Sequence, residues 1–92
     1  MTLKKNIDSH GNYYEFSKLN TSIMTIFIHG VGLDNTMWFP QKEYFNNESI
    51  LFYDLLNHGQ SSGNFKELSF DIYSNQLLNL IEDLKIEKIN IV

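Results

Sequence analysis

The chain has 92 residues, 42% of them hydrophobic and 14% aromatic, enough for one small core and one domain at most. Seven lysines and no arginine face eleven acidic residues, a net charge of −4 that offers neither a basic footprint for nucleic acid nor a bidentate phosphate clamp. The lack of cysteine excludes a disulfide framework and a thiolate metal site, and it suits a reducing cytoplasm, the expected location.

The start, "MTLKKNIDSHGNYY", carries charges with no apolar stretch behind them, so no signal peptide is expected. No segment reaches the length of a membrane span. Residues 2–7 and 13–18 read as short extended stretches around "DSHGN", where Gly11 and Asn12 can take positive φ, so a hairpin is predicted. "SIMTIFI", 22–28, is a nearly continuous β-branched and aromatic run, the pattern of a strand buried on both faces. A helix follows from Asn35 or Thr36, with Pro40 early enough that its missing N–H falls among those a helix start leaves unpaired.

"SILFYDL", 49–55, is a second buried strand, and 56–67 is a turn-rich loop long enough to be functional or mobile. Over 70–84, Phe70, Tyr73, Leu77, Leu80, Ile81 and Leu84 recur at helical steps and form one stripe. Ser69 is its predicted N-cap, Leu68 and Tyr73 are spaced for a hydrophobic staple, and Asp71 favours the helix dipole. "KINIV", 88–92, begins a further apolar strand. Strand, helix, strand, helix, strand implies parallel pairing with right-handed crossovers. Crossovers running in opposite directions put their helices on opposite faces, a three-layer α/β/α sandwich. The glycine-bearing loops after Ile28 and Asp54 then leave from the strand ends where such sheets bind ligands.

The series "IFIHGVGLDNTMWFPQ", "FYDLLNHGQSSG" and "LSFDIYSNQLLNLIEDLKIEKINIV" resembles the N-terminal part of an α/β-hydrolase-fold serine hydrolase, in order and spacing, over residues 13–92. The resemblance implies one partial, truncated domain over 1–92. An N-terminal hairpin (1–21) is followed by three mainly parallel strands with two crossover helices (22–92). It implies that the loop after His29 supplies one oxyanion-hole N–H, assigned to Val31, and that the nucleophile elbow G-x-S-x-G begins just after "KINIV". A backbone N–H in a tight glycine loop suits that task, since it stabilises developing charge without offering an acidic proton. Gly30 and Gly32 permit the close turn, although a plain strand-to-helix turn uses glycine equally well.

His29 is placed as a tempting base, but the resemblance implies an imidazole bonded to neighbouring backbone. Asp54, His58, Gly59 and Ser61 fall on a loop that the family uses to shape the site. Asp54 is read as capping loop N–H groups, and His58, Ser61 and Ser62 as turn formers. Asn57 stands where the family has glycine and still tolerates a left-handed backbone. Leu33 and Trp38 are candidates for a substrate pocket, as are Phe39 and Phe45, though aromatics on the inner side of a helix usually join the core. "GVGLDN" lacks the third glycine of a dinucleotide fingerprint, which leaves nucleotide binding a weaker reading. His10, His29 and His58 fit no metal-ligand spacing, so neither metal nor cofactor is assigned.

Two functional readings follow. In the first, the chain is the N-terminal piece of a hydrolase for a small ester, lactone or related carbonyl substrate, inactive alone because nucleophile, acid and base lie beyond Val92. In the second, it is a non-catalytic relic or split subunit whose last strand pairs with a complementing C-terminal half.

Overall fold

The computed structural model describes residues 3–19, 23–45, 48–63 and 68–92. Thr2 and Ser22 at the heads of predicted strands, residues 20–21 of the hairpin unit and 64–67 of the predicted loop lie outside them. The elements are β1 (Lys4–Ile7), β2 (Tyr13–Ser17), β3 (Ile23–Ile28), a 3₁₀ turn (Asn35–Trp38), α1 (Phe39–Tyr44), β4 (Ile50–Tyr53), α2 (Phe70–Asp83) and β5 (Lys88–Ile91).

β1 and β2 form the predicted antiparallel hairpin, Ile7 opposite Tyr13 and Lys4 opposite Phe16. Its turn closes on the Asp8 carboxylate, which accepts from the His10 and Asn12 amides at 2.9 Å each. Of the two residues offered for positive φ, Gly11 takes it (φ 78°). A Cβ there would stand 2.2 Å from Ser62 Oγ, so glycine is required for space as well as for conformation. Asn12 instead keeps negative φ and buries its amide between Asp8 and Gln76.

The sheet order is β1-β2-β4-β3-β5, with β2 antiparallel to β4 and β3 parallel to both β4 and β5. The chain steps from β3 to one neighbour and then crosses back to the other, so right-handed crossovers put α1 and α2 on opposite faces. Period-two alternation sorts the side chains accordingly. Met24, Ile26, Leu51 and Tyr53 pack with Tyr14 and, from α2, with Tyr73, Leu77, Leu80 and Ile81. Phe27, Ile50 and Phe52 face the other way, against Trp38 and Phe45. Phe27 is the hub of that smaller face: it stacks on Phe52 at 4.6 Å and meets Trp38 edge-on at 5.1 Å. This is the three-layer arrangement expected.

The helix predicted from residue 35 is divided. Pro40, in the first turn of α1, has no N–H, and its ring would collide with the Thr36 carbonyl in continuous α-helix, so the entry winds as a 3₁₀ turn. Asp34 caps that entry, accepting the Thr36 amide at 2.8 Å, and the Thr36 hydroxyl and amide hold its carboxyl below the usual carboxylate range. Asp34→Ala is expected to cost about 1 kcal/mol in chemical denaturation. Because the folded-state pKa is depressed, the cap contributes above the ordinary aspartate pKa and its share vanishes as pH falls through the lowered value.

Ser69 caps α2 by accepting the Ile72 amide at 3.3 Å, with Asp71 in the first turn. Phe70 departs from the predicted apolar stripe: it is 90% exposed. As the first helical residue it stands a turn ahead of Tyr73, where the stripe first meets the sheet. Among the described residues no helix is long and apolar enough to cross a membrane.

Candidate functional site

Two loops meet at the C-terminal ends of β3 and β4, and four polar side chains bind them. His29, at the end of β3, is buried. Its Nε2 lies 2.9 Å from the Leu55 amide, which can only donate, so the ring's proton sits on Nδ1 and is donated to the Gly30 carbonyl at 2.8 Å. The same carbonyl accepts the Leu33 amide at 3.0 Å, closing a tight turn over Val31 and Gly32.

His58 makes the matching bond from the second loop. Its Nδ1 faces the Leu56 carbonyl at 2.9 Å, and its Nε2 accepts the Gly32 amide at 2.9 Å. The two imidazoles lie 5.2 Å apart. Gly32 (φ 88°) and Asn57 (φ 63°) both take the left-handed region.

Asp54, 1% exposed, is the shared anchor. One oxygen accepts the Asn35 amide at 2.8 Å and the Asn35 side chain at 2.7 Å; the other accepts the Gln60 amide at 2.8 Å. Gly59 (φ 50°) runs so close that a Cβ would fall 2.3 Å from that carboxylate. Ser61, buried, donates its hydroxyl to the Asp54 carbonyl and accepts the Tyr13 amide at 3.0 Å, tying the loop to the hairpin.

Val31 stands at the tip of the first loop, 76% exposed, and among the described residues its N–H has no hydrogen-bond partner. Beside it lies an open hollow of about 710 Å³ lined by Gly32, Leu33, Met37, His58 and Gly59. Leu33 therefore borders the hollow, whereas Trp38, named with it as a pocket residue, packs on Phe27 in the core. The inner side of the helix entry faces the sheet, and the Trp38 indole N–H is buried there without a partner among the described residues.

Sequence reasoning missed four participants. Gln76 of α2, 2% exposed, accepts the Leu56 amide at 3.1 Å and donates to the Asp54 carbonyl at 2.8 Å and to Asn12 at 3.1 Å. Its place between Tyr73 and Leu80 at helical spacing was the available signal. Lys42 and Glu15 pair at 3.2 Å, with their side chains mostly buried, and Lys42 also hydrogen-bonds Asn35 beneath Asp54. Tyr13 donates to Glu15 at 2.8 Å; burial first and that carboxylate second push its pKa to about 12. A raised phenol pKa favours folding below pH 10.0, its ordinary value, and the contribution is lost as pH rises through about 12. A chemical-denaturation midpoint followed against pH is expected to fall across that window, and less so in Tyr13→Phe.

His10, excluded from the site by spacing, sits instead beside Asp8 and Asp83 at the hairpin turn, 3.9 Å from Asp83. There the Asp8 carboxylate is already engaged by the turn amides.

No protein-family model matches the chain. It is 28% identical over 67 residues, 72% of its length, to the (E)-2-((N-methylformamido)methylene)succinate hydrolase of Acinetobacter baylyi, and spans 26% of that protein. A solved hydrolase from Pseudomonas aeruginosa superposes with a TM-score of 0.79 at 20% identity, over 97% of this chain and 35% of that one. An alpha/beta hydrolase enzyme from a Medee basin deep-sea metagenome library gives a TM-score of 0.77 at 29% identity, over 87% of this chain and 30% of that one. The chain thus spans about a quarter to a third of the proteins it matches. With its strand order and its two facing loops, it has the fold of the N-terminal third of an α/β hydrolase.

Proposed function

We propose that the chain provides the N-terminal third of a cytoplasmic hydrolase acting on a small ester, lactone or related carbonyl compound, with the Val31 N–H as one donor of the oxyanion hole. The observation that carries this reading is that N–H itself: unpartnered among the described residues, on an exposed residue, in a peptide group tethered through its Gly30 carbonyl and followed by one tethered through the Gly32 N–H. A serine hydroxyl attacking a carbonyl carbon pushes negative charge onto the oxygen. A fixed donor meets that charge without reorganising.

The nucleophile and its base would lie beyond Val92, and the 92 residues alone would not turn over. Both imidazoles of the site spend Nε2 on backbone amides and Nδ1 on carbonyls, so neither has a lone pair left for a serine proton. Ser61 is buried and already bonded through both functions of its hydroxyl.

The test begins with the coding sequence after residue 92, where a G-x-S-x-G is expected within the first few codons of some reading frame. The polypeptide extended through it should hydrolyse a short activated ester and react with a fluorophosphonate at that serine, while the 92-residue chain should do neither. Labelling of the short chain that disappears on replacing one of its own serines would overturn the claim of inactivity. Absence of the elbow in every frame would leave the second reading, a relic or split subunit. Under either reading β5, which pairs only with β3 among the described residues and leaves Ile91 and Val92 more than half exposed, would take an outer neighbour; the second reading supplies it from a separate chain. A well-dispersed monomer in sedimentation would count against a strand-donating partner.

A further inference from the structure

We propose that His58 is a positioning residue that latches the loop carrying the Val31 N–H, and that protonation of its imidazole opens the latch. The tautomer is fixed by its partners. The Leu56 carbonyl can only accept, so Nδ1 bears the proton; the Gly32 amide can only donate, so Nε2 must offer its lone pair. A second proton on the ring would set N–H against N–H across the 2.9 Å contact and abolish the bond.

The loop has little else to hold it there. Gly32 has no side chain, and the space a Cβ would fill has no heavy atom within 4 Å. Val31 projects into solvent. The tether before Val31, from the buried His29 to the Gly30 carbonyl, is part-buried, whereas the bond after it is exposed and faces the open hollow where water can deliver a proton.

The titratable groups around His58 come from three directions. His29 approaches from β3 with both ring nitrogens engaged. Asp54, at the end of β4, has both oxygens committed to Asn35 and Gln60. Asp34, on the 3₁₀ entry, borders the same hollow and is held by Thr36. α2 contributes the neutral Gln76 to this loop. None of them offers the Gly32 amide a replacement acceptor without rearrangement. The consequence for catalysis rests on the oxyanion reading of Val31; the latch does not.

The experiment follows the Gly32 amide of the ¹⁵N-labelled chain by NMR from about pH 8 to about pH 5, the range in which histidine titrates. Core amides of Ile26 and Phe52 serve as the control for folding. Protection of Gly32 from hydrogen exchange is expected to fall about tenfold beyond the intrinsic pH effect, with the midpoint of the His58 ring and not of His29. His58→Asn keeps a donor toward Leu56 but places nothing at Nε2, so Gly32 should be unprotected at every pH. His58→Gln places an uncharged acceptor there, and protection should persist across the range. A Gly32 amide indifferent to His58 titration, or as protected in His58→Asn as in the parent, overturns the proposal; the parent titration decides even where a variant fails to fold. In the extended polypeptide, kcat/KM should fall more steeply toward low pH in the parent than in His58→Gln, which keeps only the dependence that belongs to the catalytic base. A latch that opens by NMR without any effect on kcat/KM would refute the role of Val31 and leave the latch standing.

Discussion

Asp54→Ala is expected to lower folding stability by about 3–5 kcal/mol, read as a drop in the urea midpoint at unchanged m-value. The carboxylate is 1% exposed and takes three hydrogen bonds, from the Asn35 amide, the Asn35 side chain and the Gln60 amide. Each donor left unpaired in a buried site costs about 1–3 kcal/mol, and relief of the carboxylate's own desolvation offsets only part of the sum. Domains of this kind are stable by roughly 5–15 kcal/mol, so the variant should stand near its unfolding threshold. Asp54→Asn keeps one acceptor oxygen but turns an amide N–H toward a former donor, and its cost should fall between parent and alanine. A midpoint for Asp54→Ala within about 0.5 kcal/mol of the parent would mean that the loops find other partners and that Asp54 does not anchor the site.

That anchor also marks the boundary between what one sequence reveals and what it hides. The apolar strands, the hairpin turn and the stripe of α2 are local patterns with a period of their own, and each falls within a residue or two of its predicted span. Phe70 shows the limit of periodicity: a helix continues past the sheet it packs on, and the pattern does not say where contact stops. Pro40 was legible as a helix-start residue, while the 3₁₀ turn it enforces depends on a clash with one specific carbonyl. The polar ties are harder still. His58 reaches Gly32 across 26 residues, and Lys42 reaches Glu15 across 27, by way of a register that only the assembled sheet defines. Composition makes such side chains look like turn formers or solvated charges. Their partners become visible when β3 and β4 lie side by side and the loops after them leave from the same edge.

The second large effect concerns Val31, and it separates a peptide group from a side chain. In the catalytically extended polypeptide, replacing the Val31 amide by an ester linkage is expected to lower kcat by 10²- to 10³-fold with little change in KM, the signature of a donor engaged only in the transition state. The substitution removes the N–H and keeps the side chain. Among the described residues that N–H bonds to nothing, so its loss leaves no buried acceptor unpaired; the Gly30 carbonyl of the same group, which takes the His29 and Leu33 donors, becomes a weaker ester acceptor, and the loop's integrity is checked by the folding midpoint of the same variant. Stability should follow suit: Val31 is 76% exposed, and Val31→Ala should shift the denaturation midpoint by less than about 0.5 kcal/mol. The same ester linkage at Gly32 would instead delete the donor to His58, loosening the loop as well as slowing the reaction. If the Val31 ester leaves kcat unchanged while the Gly32 ester depresses it, the oxyanion donor is not the Val31 N–H, and the loop acts through its shape. If the Val31 ester depresses kcat at least as far as the Gly32 ester does, an amide held in place by two imidazoles is the chemical contribution of these 92 residues to the reaction.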